Sequence, residues 1–112
     1  MSQPTLLKVY GSLERATSEL FEEVKKICQQ ALPIENSLAS MDGNTLLISF
    51  EGVWFPQDDI LEAFKRLLTP DQKGKLDILD LEEWKMTRHV FQDGKIITKS
   101  SPLNNVLDYS GH

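Results

Sequence analysis

Two Asp-Gly pairs constrain this chain more than any other feature. Asp42-Gly43 lies between residues 38–41 and 45–50, and Asp93-Gly94 lies between the end of residues 75–91 and residues 95–99. All four flanking stretches are rich in strand formers. Asp-Gly supplies the positive φ angles that a tight hairpin turn requires, so each pair predicts two antiparallel strands joined directly. A chain with two such hairpins is committed to an antiparallel sheet.

Helical stripes interrupt these strands. Residues 5–10 read as a first strand, broken by Gly11-Ser12, with Ser12 able to cap a helix directly after it. Leu13, Ala16, Leu20, Phe21, Val24, Ile27, Cys28 and Ala31 then recur every three or four residues, the pattern of an amphipathic helix that Pro33 ends. Pro56 fits the first position of a second helix. Asp58 and Asp59 fall in its first turn, and Ile60, Leu61, Phe64, Leu67 and Leu68 form its stripe.

Residues 75–91 are too long for one straight strand, which would span more than ~50 Å. The apolar phase slips there, with Leu79 and Leu81 at odd positions and Trp84, Met86 and Val90 at even ones. A one-residue slip exchanges the faces of a strand, which places a bulge or break at Glu82-Glu83. Ser101-Pro102 can cap a short terminal helix using Leu103, Val106 and Leu107. The order βαββαββα predicts an α+β two-layer sandwich, an antiparallel sheet with two main helices on one face. Its first six elements have the order of a ferredoxin-like unit. With 112 residues, the chain is expected to form a single domain over residues 1–112.

Chemistry is signalled mainly by absences. The chain has no Gly-rich phosphate loop and no nucleophile elbow, and its two histidines, His89 and His112, are far apart. One cysteine excludes an internal disulfide or a multi-cysteine metal site. No cofactor and no metal is expected. Asp77, Asp80, Glu82 and Glu83 read either as a hard-cation site or as a solvated acidic edge, and the second reading needs nothing further. Cys28, on the apolar stripe, reads as a buried, inert thiol. That thiol, and the lack of a basic-then-apolar leader, suit a reducing cytoplasm.

Two constellations mark candidate binding residues. Trp54 and Phe55 are adjacent, so in extended chain they point opposite ways, one inward under the second helix and one outward as a partner anchor. Arg88 and His89 are the other pair. If Trp84, Met86 and Val90 face the core, Arg88 shares their face and His89 points to solvent, with Asp93 within reach across the turn. Both constellations have plain structural readings as well, as core plug and as cross-strand surface pair.

The charge is uneven. Twelve basic and seventeen acidic residues give a net −5. Residues 51–83 hold nine acids and four bases, whereas residues 84–112 hold two acids and four bases. An acidic balance disfavours nucleic acid or an anionic membrane as the main partner. These features together predict a small acidic cytoplasmic protein-binding domain, of inhibitor, immunity or adaptor type, docking a basic protein through Trp54, Phe55, Asp58, Asp59, Arg88 and His89. Self-association through the second hairpin is compatible with that reading. The alternative is a small-molecule-binding or enzymatic domain with a cleft near His89.

Overall fold

The computed structural model describes residues 5–31 and 38–103. Its elements are β1 (Leu7–Leu13), α1 (Ser18–Ala31), β2 (Ala39–Asp42), β3 (Thr45–Gly52), α2 (Gln57–Leu67), β4 (Gly74–Asp80), β5 (Lys85–Gln92) and β6 (Lys95–Pro102). The strands form one six-stranded sheet, antiparallel throughout, in the order β2-β3-β1-β4-β5-β6. β3 lies between β1 and β2, the two strands that α1 connects. The fold is α+β, as the turns and stripes predict. Pro33 and the terminal helix expected around Val106 and Leu107 lie outside the described residues.

Both Asp-Gly pairs form hairpin turns, with a difference in register at the first. Asp42 pairs with Thr45, so Gly43 and Asn44 are the two central residues. Gly43 alone there has a positive φ, 63°, which is the type II′ arrangement. Asp93 and Gly94 both have positive φ, 54° and 72°, the type I′ arrangement.

The first helix begins later than its stripe suggests. β1 does not break at Gly11-Ser12 but runs to Leu13, with Gly11 paired to Ile48 on one side and Leu76 on the other. A Cβ at Gly11 would sit 2.8 Å from Leu76 Cδ1, so here glycine admits a neighbour's side chain and does not end the strand. The cap is Thr17, whose Oγ1 accepts the Leu20 N–H at 3.1 Å. Leu13 and Ala16 are buried, but they precede the helix.

Residues 75–91 also differ from expectation. They contain a third hairpin, not one bent strand, because the break predicted at Glu82-Glu83 is a full turn. Asp80 Oδ1 accepts the backbone N–H groups of Glu82 and Glu83, each at 3.0 Å, and Trp84 takes a φ of 58°. The chain reverses, and Asp80 pairs with Lys85. The molecule measures 34 × 34 × 23 Å and has no room for the extended alternative.

The two helices cover one face of the sheet. Leu20, Val24 and Cys28 of α1 and Ile60, Ala63 and Phe64 of α2 join Val9, Leu13, Leu46, Ile48, Phe50, Leu76, Ile78 and Phe91 in one core. Phe64 stacks on Phe91 with ring centroids 4.4 Å apart, tying α2 to β5. Cys28 is buried and unpaired, and burial pushes its thiol pKa up, as an inert core residue requires. Gln72, also buried, ties two loops together: its Oε1 accepts the Thr69 N–H at 2.9 Å and its Nε2 donates to the Arg15 carbonyl at 2.9 Å.

Candidate functional site

Strand register sorts the sheet into two chemically different faces. Leu7, Asp80 and Lys85 lie in one cross-strand row, and Val9, Ile78 and Thr87 lie in the next. Val9 is in the core under the helices, so both rows belong to the helix side. α2 begins only at Gln57 and leaves the end of these rows uncovered. The result is an open groove of about 600 Å³ between the start of α2 and the sheet.

Each wall follows from local sequence. Glu51-Gly52 ends β3, and the chain then crosses to α2 through Val53, Trp54, Phe55 and Pro56. Alternation in this segment turns Phe55 inward, 4% exposed and 5.4 Å from Phe50, while Trp54 is 55% exposed. Pro56 is the N-cap residue, one position earlier than predicted, and no side chain caps the helix. Asp58 and Asp59 occupy the first turn, where their charge complements the helix dipole. Opposite them stand Asp80, fixed by the turn it closes, and Lys85, whose ammonium lies 2.9 Å from Glu83. Glu83 holds the Lys85 pKa above its ordinary value. The groove therefore combines an exposed indole with three carboxylates and one cation that is already paired.

Four of the sequence-predicted residues, Trp54, Phe55, Asp58 and Asp59, meet in this groove. Arg88 and His89 do not join them, and their faces are the reverse of the expectation. The turn at residues 81–84 resets the phase of β5, so His89 and Phe91 face the helices and Arg88 faces the uncovered side. His89 is 3% exposed. Its Nδ1 lies 2.8 Å from Thr98 Oγ1, and its Nε2 lies 3.5 Å from the side-chain amide of Gln57, which lines the groove. Asp93 does not supply its partner. Arg88 instead makes a two-pronged pair with Asp77 across the strands, Nε to Oδ1 at 2.7 Å and Nη2 to Oδ2 at 3.0 Å. That pair raises the Arg88 pKa.

The acidic constellation is thereby divided. Asp77 belongs to Arg88, Asp80 caps a turn and Glu83 pairs with Lys85. Among the described residues no group of His, Cys, Asp and Glu is placed to hold a metal ion. Sequence reading missed Leu7, Gln57, Ile78, Asp80, Lys85 and Thr87 as groove residues. Asp80, followed by Leu-Glu-Glu, carried a turn signal that could have been used. Gln57 comes with the start of α2, beside Asp58, and the others are set by cross-strand register, which leaves no local trace.

Burial pushes the His89 pKa down, with Asp77 offsetting part of the effect. The unfolded chain, with a histidine pKa near 6.5, then binds a proton before the folded one does. The stability His89 provides as a neutral ring is present above about pH 6.5 and is lost as pH falls through that value toward the lower folded pKa. Urea denaturation at pH 7.5 and 5.5 is expected to show a drop in midpoint that is smaller in His89→Asn.

The chain matches no protein-family model, and neither the curated proteins nor the solved structures contain a match to it. No helix among the described residues is long and apolar enough to cross a membrane.

Proposed function

We propose that this chain is a protein-binding module that receives a basic segment of a partner protein in the groove at the start of α2. The observation that carries this reading is the exposed Trp54 ring set among Asp58, Asp59 and Asp80. An indole face attracts a lysine or arginine head group within about 6 Å, and nearby carboxylates add attraction and steer the approach. The groove is open along its length, which suits a side chain presented on a polypeptide. An inhibitor, immunity or adaptor role uses this kind of docking, and the free, buried Cys28 suits a cytoplasmic setting.

The volume of about 600 Å³ supports a second reading, a small organic cation as ligand. His89 does not line the groove, so it takes no direct part in either reading.

The test uses Trp84→Phe, in which Trp54 is the sole indole. Its fluorescence is followed during titration with arginine- and lysine-containing hexapeptides, with acidic hexapeptides, and with choline. Saturable binding of the basic peptides that weakens with added salt is expected. Trp54→Leu, which removes the reporter ring and is therefore titrated calorimetrically, should weaken it about fivefold to thirtyfold, the equivalent of ~1–2 kcal/mol. Asp58→Asn with Asp59→Asn should weaken it further and flatten the salt dependence. Equal responses to acidic and basic peptides would refute the proposal, and preference for choline would replace it with the small-cation reading.

A further inference from the structure

The uncovered face of the sheet holds a second constellation, opposite in charge to the groove. Register places Lys75, Asp77, Arg88, Val90, Ile97 and Lys99 on this face. Lys73, Lys75 and Arg88, with Ser12, Glu14 and Val90, line an open depression of about 430 Å³. Asp77, 7% exposed, fixes the Arg88 guanidinium through two hydrogen bonds. Lys75 Nζ is 3.9 Å from the same carboxylate. Two N–H groups of a guanidinium are thus committed to Asp77, and its remaining donors are held in a set orientation.

A separate observation concerns β6. Arg88 is directly opposite Lys99 in the antiparallel ladder, and Lys99 has no ion-pair partner among the described residues. Like charges directly opposite one another destabilise a sheet. Lys73, Lys75 and Arg88 in the depression, with Lys99 beside Arg88 on the neighbouring strand, outnumber Glu14 and Asp77 by two charges.

We propose that this depression is an anion site for a phosphomonoester carried on a protein partner. A phosphate dianion matches the two uncompensated charges and relieves the Arg88–Lys99 repulsion. Arginine provides the planar donor fork that phosphate oxygens accept, and lysines add point charges. The depression is too open to enclose a nucleotide, and it suits a group delivered on a chain that rests on Val90 and Ile97. The net charge of −5 opposes an extended polyanion or an anionic membrane surface, but it opposes a single phosphate far less.

The experiment is an NMR titration of the ¹⁵N-labelled chain. Its arms are a phosphoserine peptide, the same peptide without phosphate, inorganic phosphate, and vesicles containing a phosphoinositide. Saturable shifts at Lys75, Arg88 and Lys99 are expected with the phosphopeptide, at least tenfold tighter than with the unphosphorylated peptide or inorganic phosphate. Lys73→Gln with Lys75→Gln should lose this binding while retaining the thermal midpoint. Lys99→Gln should weaken binding and raise the midpoint, because it removes the opposed charge, a combination that a purely structural lysine would not produce. Equal binding of both peptides, shifts that never saturate, or tightest binding to the vesicles would overturn the proposal. It is independent of the groove, and the groove variants should leave it unchanged.

Discussion

Gly74→Ala is expected to destabilise the protein by more than about 3 kcal/mol and to lower its Tm by about 10 °C or more. Gly74 is paired with Leu13 on one side and Phe91 on the other, where β4 passes between β1 and β5. A Cβ there would lie within van der Waals overlap of backbone, 2.0 Å from the Ser12 carbonyl oxygen and 2.7 Å from Leu13 Cα. Backbone atoms cannot rotate aside as a side chain can. Adding one methyl group must therefore push β1 from β4 and weaken the centre of the sheet. Gly43→Ala is the contrast: nothing lies within 4 Å of its Cβ, and only its φ of 63° is strained. It is expected to lose about 1–2 kcal/mol. Guanidinium denaturation of the two variants measures the difference, and equal losses would show that β1 and β4 yield easily.

Phe64→Ala is expected to destabilise by about 3–5 kcal/mol, the range for deleting a fully buried phenyl ring. Phe64 is 1% exposed and lies nearly parallel to Phe91, at an interplanar angle of 8°. It also holds α2 against β5, so the loss should reach the groove that the start of α2 encloses. Phe64→Leu keeps most of the volume and is expected to lose less than about 1.5 kcal/mol. In a Trp84→Phe background, Trp54 fluorescence should respond to Phe64→Ala at temperatures below the global transition, because the wall that carries Trp54 loses its anchor. A variant as stable as the parent would mean that neighbouring side chains fill the space.

Local chemistry is sufficient for several features. The two Asp-Gly pairs locate two hairpins because each brings a glycine that accepts positive φ, although the first turn centres on Gly43-Asn44, and the 3.6-residue stripes define both helices. Adjacent Trp54 and Phe55 have to diverge, and the structure separates them as exposed ring and core residue. Those constraints act over a few residues, so one sequence contains them. Other features mislead for an equally physical reason. Gly11 looks like a breaker, but its value lies in the room it gives Leu76, a residue 65 positions away. His89 looks solvent-facing because the apolar Trp84, Met86 and Val90 suggest that their face is the inner one, whereas the helices cover the face of His89 and Phe91 and leave Trp84 exposed.

Composition, turns and periodicity thus determined an α+β chain with hairpins, two amphipathic helices and an acidic middle. They could not choose the strand order, the inward face of β5 or the partner of Asp77. Nor could they show that α2 starts short of the sheet's end and leaves a groove beside Trp54. Those outcomes depend on which distant strands pair and in what register. A period of two shows that a strand has two unlike faces, but only the packed helices establish which of them is inside.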